Sequence, residues 1–188
     1  MKLSKFVKVC NEFGAYAVES AQLELGTTRT IRGRKVRRVF TGNLQKSLYH
    51  RTYTRSKGKG TTRIVFGAKG SAANYASYVE YGVNGTKTNV GSPFSFNGKF
   101  VNIGAIEKMV RNNKFRIRRK GQFVAKTESN IRGTAFVIAR SIAEKGIIGG
   151  PYMIKGWQRA YKKYESKLSN ALIEDTIKYI DNGNNSNW

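Results

Sequence analysis

The sequence predicts an α+β fold: a small antiparallel sheet with a long β-hairpin, packed against N-terminal and C-terminal helices and carrying a helical insertion. Three observations predict it. Apolar residues recur at spacings of three and four from Leu3 to Leu25, which marks one face of an amphipathic helix. Two strand-like stretches, LYHRTYTR at 48–55 and TTRIVFGA at 61–68, are joined by SKGKG, which supplies the glycines and charge of a hairpin loop. A second long helical pattern runs from Pro151 to about Ile180. At 188 residues the chain has room for one domain of ordinary size, able to bury about 70% of its unfolded surface without disulfides or metal. A single domain is expected over 1–181, with an insertion at about 83–148, a basic arm at about 27–40 and a flexible tail at 182–188.

The first helix is expected to bury Leu3, Phe6, Val7, Cys10, Phe13, Ala17, Ala21 and Leu25 and to stop at Gly26. Residues 27–40, TTRTIRGRKVRRVF, carry six basic residues, no acid and no clear period, and read as a mobile arm or extended connection. Thr41 is placed to cap a short helix, TGNLQKSL, whose Leu44 and Leu48 share a face. After the hairpin, NYASYVEYG at 74–82 reads as a short helix ended by Gly82, and 83–101 as a loop or irregular hairpin. Ile103–Asn112 follows as a helix with Ile106, Met109 and Val110 inward. In the basic run KFRIRRKG at 114–121, alternation turns Phe115 and Ile117 toward a core and the guanidinium groups outward. Gly133–Lys145 reads as a helix with Ala135, Phe136, Ile138, Ala139 and Ile142 apolar, stopped by Gly146 and punctuated by GGP at 149–151. Proline at the first turn of the last helix removes no hydrogen bond, and Trp157, Tyr161, Tyr164, Leu168, Leu172 and Tyr179 are expected to form its stripe. No period of 20–50 residues repeats, which argues against a solenoid.

Charge is the strongest compositional signal. Lys and Arg number 35 against 11 Asp and Glu, a formal net charge of +24; such a surface is solvated, spread out or neutralised by something acidic. Cys10 stands alone and excludes a disulfide framework. The absence of a signal-like apolar segment or membrane-length apolar run predicts a chain made in a reducing cytoplasm.

Catalytic chemistry is poorly provided for. The only histidine, His50, sits in an expected strand beside Arg51 and reads as a surface strand residue. Neither GxSxG nor SxxK occurs, and one Cys with one His cannot build the common zinc sites. Glu174 and Asp175 are adjacent, so on a helix they point to different faces. The glycine-rich stretches match neither GxGxxG nor GxxxxGK[ST]. No catalytic residue, metal or cofactor is therefore expected.

Between Glu24 and Glu80 there is no acid at all, while Arg32, Arg34, Lys35, Arg37 and Arg38 cluster there; Arg116, Arg118, Arg119 and Lys120 form a second block. Both blocks are candidates for contact with DNA or an acidic partner, through phosphate neutralisation that carries no sequence information. Phe40, Tyr49, Tyr53 and Phe66 interleave with the charges, yet strand alternation accounts for them equally well as core. Glu80, a lone acid in an aromatic patch, is expected to pair with an arginine, within the fold or across a subunit boundary, because an unpaired buried carboxylate is costly.

Three segments together resemble the head-tail joining and tail-completion (neck) proteins of tailed bacteriophages, the group that includes lambda minor tail protein Z. A Thr-Gly-x-Leu-x-x-Ser turn falls on Thr41, Gly42, Leu44 and Ser47. A Tyr-x-x-x-Val-Glu-aromatic-Gly stretch falls on Tyr75, Val79, Glu80, Tyr81 and Gly82, and a Pro-aromatic helix start on Pro151 and Tyr152. VNIGAIEKMVRNNKF is similar to an insertion of some members in which an apolar helix carries a tryptophan, with Met109 in that place. The resemblance implies a non-enzymatic virion protein that forms a homo-oligomeric ring in the neck or tail. Such a ring binds other neck, connector and tail proteins, surrounds genomic DNA nonspecifically and touches no membrane. Glu80 or the 83–101 loop is expected at the ring seam, since closed rings use heterologous interfaces. A free nonspecific nucleic-acid-binding protein is the alternative that explains the charge without the motifs.

Overall fold

The computed structural model describes residues 3–31, 34–37, 42–55, 61–98, 101–112 and 116–184; at 29–31, 34–37, 55 and 182–184 it describes the backbone alone. The chain is mixed helix and sheet, with small antiparallel sheets and long N-terminal and C-terminal helices packed together. Two compact units form, one from 1–80 with 151–188 and one from 81–150.

In the first unit, α1 (Ser4–Gly26) and α6 (Tyr152–Asn184) run antiparallel: Glu24 near the end of α1 meets Lys155 and Arg159, while Phe6 near its start meets Asp175. The α1 face follows the apolar spacing, with Cys10, Phe13, Ala17, Ala21 and Leu25 buried. Burial pushes the Cys10 thiol upward in pKa, which keeps it a protonated core group. The α6 face agrees with expectation at Tyr164 and Leu168 and differs elsewhere. Its buried seam is Tyr152, Gly156, Ala160, Tyr164, Ala171 and Asp175, whereas Tyr161, Leu172 and Tyr179 are exposed and Trp157 lies at the edge. The reason is steric: small residues at Gly156 and Ala160 admit the α1 backbone, and a Cβ at Gly156 would stand 2.7 Å from the Ala17 carbonyl oxygen. Trp157 instead meets Phe13 edge to face at 4.7 Å between centroids. The helix also continues through Asn184, into the segment expected as a flexible tail; residues 185–188, including Trp188, lie outside the described residues.

Between these helices come four strands and two short helices. Residues expected as an arm form a hairpin, β1 (Thr28–Ile31) paired with β2 (Arg34–Arg37) in the register Thr28↔Arg37 to Ile31↔Arg34. Their β-branched Thr28, Thr30, Ile31 and Val36 suit an extended ladder. The helix α2 (Asn43–Ser47) starts from Gly42, whose φ of 77° lies in the left-handed region, with no side-chain cap at that position; Thr41, the expected cap, lies outside the described residues. The long hairpin is as predicted: β3 (Leu48–Arg55) pairs with β4 (Thr61–Ala68) along its whole length. One face of it packs on α1 through Ile64 and Phe66. His50 belongs to that face and is half-buried rather than a plain surface residue, because its ring lies over Gly14, where a Cβ would collide with it. A single 3-10 turn leads into α3 (Ala73–Tyr81), which Gly82 ends at φ 79°.

In the second unit, β5 (Gly82–Val83) pairs with β8 (Ile147–Ile148). The following loop is organised by Asn84, whose Oδ1 accepts from the amides of Val90 at 2.8 Å and Ser92 at 3.1 Å, and whose Nδ2 donates to the Ser92 carbonyl at 2.7 Å. Helix α4 (Ile103–Arg111) packs on α5 (Glu128–Lys145) around Ile106, Val110, Ile131, Ala135 and Ala139. The start of α5 precedes the expected Gly133, because the Thr127 hydroxyl accepts from the Asn130 amide. Of the apolar residues of this pattern Ala135 and Ala139 are buried and Phe136 is exposed, while Ile131 and Ala143 complete the buried positions. A tight hairpin, β6 (Ile117–Arg119) with β7 (Gln122–Val124), carries the alternation read in 114–121, with Ile117 buried and Arg116 and Arg118 exposed.

Paired glycine substitutions test the close helix approach. Gly156→Ala is expected to destabilise the protein by about 1–2 kcal/mol, since overpacking outweighs the gain in helix propensity. Gly133→Ala, on α5 with open space around it, is expected to stabilise by about 0.5–1 kcal/mol. Denaturant unfolding of both variants reads the two signs.

Candidate functional site

Of the residues that carry the resemblance, Leu44, Ser47, Tyr75, Val79, Glu80, Pro151 and Tyr152 belong to the first unit, Tyr81 and Gly82 to the second, and Thr41 lies outside the described residues. Leu44 from α2, Leu48 from β3, Ala76 from α3 and Tyr152 from α6 share one buried cluster, with Val79 packed against it. Tyr152 is fully buried and donates its hydroxyl to the Ala76 carbonyl at a long 3.4 Å. Burial, with the Glu80 carboxylate and Tyr75 adding to it, pushes that phenol far above the usual tyrosine range. The Ser47 hydroxyl donates to the Leu44 carbonyl at 2.8 Å and closes α2. Tyr75 and Tyr81 are partly exposed on α3.

Glu80 is 4% exposed and does something other than expected. Its Oε2 accepts from the Met153 amide at 2.8 Å and its Oε1 from the Ile154 amide at 3.1 Å. These are the second and third amides of α6, donors that no intrahelical carbonyl satisfies, and the carboxylate also meets the positive end of the helix dipole. Among the described residues no arginine or lysine lies within ion-pair distance of it. The expected arginine pair is therefore corrected to a cap supplied from another helix, and Glu80 is no seam residue, being enclosed within its own unit. Pro151 immediately precedes the capped turn.

The basic candidates divide. Arg34, Lys35 and Arg37 lie on β2, while Arg32 and Arg38 lie outside the described residues. Ile117 and Val124 anchor the β6–β7 hairpin to the core of the second unit, so alternation turns Arg116, Arg118 and Phe123 outward. Phe115 lies outside the described residues. Arg119 and Lys120 are exposed at the turn, where φ is 48° at Lys120 and 84° at Gly121, the left-handed pair of a two-residue type I′ connection. Phe123, which no sequence pattern singles out, is 60% exposed, with the Arg116 and Arg118 guanidinium carbons 5.5 and 4.9 Å from its centroid.

A matching arrangement stands on the outer face of β3–β4. There Arg51 lies over Tyr53 at 5.0 Å, and Arg63 is the cross-strand neighbour of Tyr53, which is 47% exposed. The interleaved aromatics thus separate: Phe66 packs against the core and Tyr53 faces out. Arg51 and Arg63 stand in the acid-free basic interval between Glu24 and Glu80, and period-two alternation places them opposite the α1-facing side chains.

Among the described residues no cluster of three or more His, Cys, Asp or Glu is placed to hold a metal ion, and no helix is long and apolar enough to cross a membrane. Glu174 pairs with Lys5, and Asp175 accepts from the Phe6 amide at 2.8 Å, so the adjacent acids serve separate contacts. Set against protein-family models, curated proteins and solved structures, the chain matches none.

Removing the Glu80 carboxylate leaves two enclosed amides without acceptors. Glu80→Ala is expected to cost about 2–3 kcal/mol, Glu80→Gln about half of that because one oxygen still accepts, and Tyr152→Phe less than either, given its long hydrogen bond. Chemical denaturation of the three variants establishes the order.

Proposed function

We propose that this protein is a structural subunit of a tailed-phage virion, forming a ring in the neck or tail that joins the head connector to the tail around the DNA exit path. The observation that carries this reading is the convergence of the three motif segments. Leu44, Val79, Glu80 and Tyr152, scattered through the chain, act together to seat the start of α6. A framework role of this kind is what a recurring motif does in an assembly protein, where the shared residues hold a scaffold and the loops reach neighbours.

Oligomerisation has a suitable surface. Ile173, Ile177 and Ile180 follow one another at i, i+4 and i+7 on α6 and are each more than half exposed. Such a stripe fits burial against another copy. In a ring it meets a different patch of the neighbouring subunit. The 83–101 loop remains a second candidate for the seam. A free nucleic-acid-binding protein is the competing reading, favoured by the outward arginines of the two hairpins.

Native mass spectrometry and light scattering, at low and high salt and with or without duplex DNA, test the proposal. Discrete closed oligomers, or a monomer that assembles only with connector or tail protein, are expected, with Ile177→Asp shifting them toward monomer. A monomer whose only partner is duplex, bound with steep salt dependence, would instead establish the competing reading.

A further inference from the structure

The two outward arginine–aromatic faces carry an inference that goes beyond ring assembly. Each belongs to a two-stranded hairpin whose opposite face is anchored in its own core, Ile64 and Phe66 in the first unit and Ile117 and Val124 in the second. The anchoring makes each outer face a fixed platform. On it a guanidinium lies over an aromatic ring: Arg51 on Tyr53, Arg116 and Arg118 on Phe123. Stacking occupies the flat face of a guanidinium and leaves its in-plane N–H groups free to fork an oxyanion. It also restricts the side chain before any ligand arrives, so binding costs less rotamer freedom.

Charge balance sets these arginines apart from others in the chain. Arg111, Arg140 and Arg159 each hold a glutamate. Among the described residues, Arg51, Arg63, Arg116 and Arg118 have no carboxylate within ion-pair distance, so their charge awaits an external anion.

We infer that the outer faces of β3–β4 and β6–β7 are phosphate-binding platforms for nucleic acid, contacting the backbone without reading sequence. The repetition favours nucleic acid over an acidic protein. The same arrangement is built twice, in two compact units and from different elements, which suits a polymer presenting one charged group at regular intervals. An acidic protein partner would call for an apolar centre to its interface; on β6–β7 the outward ring, Phe123, is covered by guanidinium, and on β3–β4 Tyr53 is covered by Arg51 while Tyr49 and Val65 of the same face are half-buried.

Fluorescence anisotropy with a mixed-sequence DNA duplex, and with one of its strands alone, tests the inference across a salt series on the full chain. Arg116→Gln/Arg118→Gln and Arg51→Gln/Arg63→Gln are each expected to flatten the plot of log affinity against log salt by about 0.9 for each phosphate no longer neutralised. The control Lys87→Gln/Arg140→Gln removes equal charge from residues already paired with Glu144 and is expected to leave the slope near wild type. Thermal unfolding verifies that each variant is folded, and Arg→Lys versions at the same four positions, which keep the charge, are expected to retain the slope while binding more weakly. Equal slopes for the platform and control variants would overturn the inference. So would an effect confined to the single strand, which would mean base stacking on Phe123, or displacement of the duplex by polyglutamate at matched charge, which would mean an acidic-protein surface. Native mass measured on the same variants reads ring formation separately, so either proposal can fail while the other stands.

Discussion

The placement of α6 depends on three buried carboxylates. Glu24 reaches from α1 to Lys155 and Arg159, Glu80 reaches from α3 to the Met153 and Ile154 amides, and Asp175 reaches from α6 itself to the Phe6 amide. They are the buried acids among the described residues. Neither long helix begins with an acid in its own first turn, and Leu3, at the cap position of α1, supplies no side-chain acceptor. Each therefore relies on a carboxylate from another part of the chain. In a protein with this excess of positive charge, the three acids that are buried all lie where helices meet.

That arrangement explains which features could be read in advance. The α1 face and the β3–β4 hairpin were legible because their signals are local: an apolar period of 3.6 in one case, two β-rich runs around a glycine-containing loop in the other. The α6 seam was not. Large aromatic residues dominate any count of apolar spacing, yet a close antiparallel approach selects small residues such as Gly156 and Ala160, and nothing within α6 announces how near α1 will come. Glu80 was picked out for the right reason, the cost of burying a lone acid, and given the wrong kind of partner, because backbone amides at a helix start leave no trace in a search for opposite charges. Phe136 is exposed because the face of α5 that packs on α4 is the row Ile131, Ala135 and Ala139. Of the candidate contact face, Arg116 and Arg118 were visible as a charge block, whereas Phe123 and the Arg51–Tyr53–Arg63 group needed strand pairing to bring them together.

Charge is thus segregated by use. Glu24, Glu80 and Asp175 brace helices inside the first unit, and on the surface of the second Glu128 and Glu144 titrate below the usual glutamate range through hydrogen bonds to Arg111 and Arg140. Arg51 and Arg63 on β3–β4 and Arg116 and Arg118 beside β6–β7 are left facing outward on core-anchored hairpins. A scaffold held by internal acids and displaying external cations is consistent with a subunit that surrounds a polyanion, and equally sparing in the groups that acid–base catalysis requires.

The capping of α6 by Glu80 also constrains the order in which the chain can become native. Glu80 and Met153 are 73 residues apart, and closing a loop of that length costs roughly 4 kcal/mol in chain entropy before any contact repays it. The short β5–β8 pairing lies just inside that loop and brings Gly82 beside Ile148. Once formed, it reduces the open span to a few residues at each end. Two residues per strand, too few to form a substantial sheet, thereby act as an entropic clasp: they allow the interrupted first unit to recover its continuity and make the long-range cap behave as a local one.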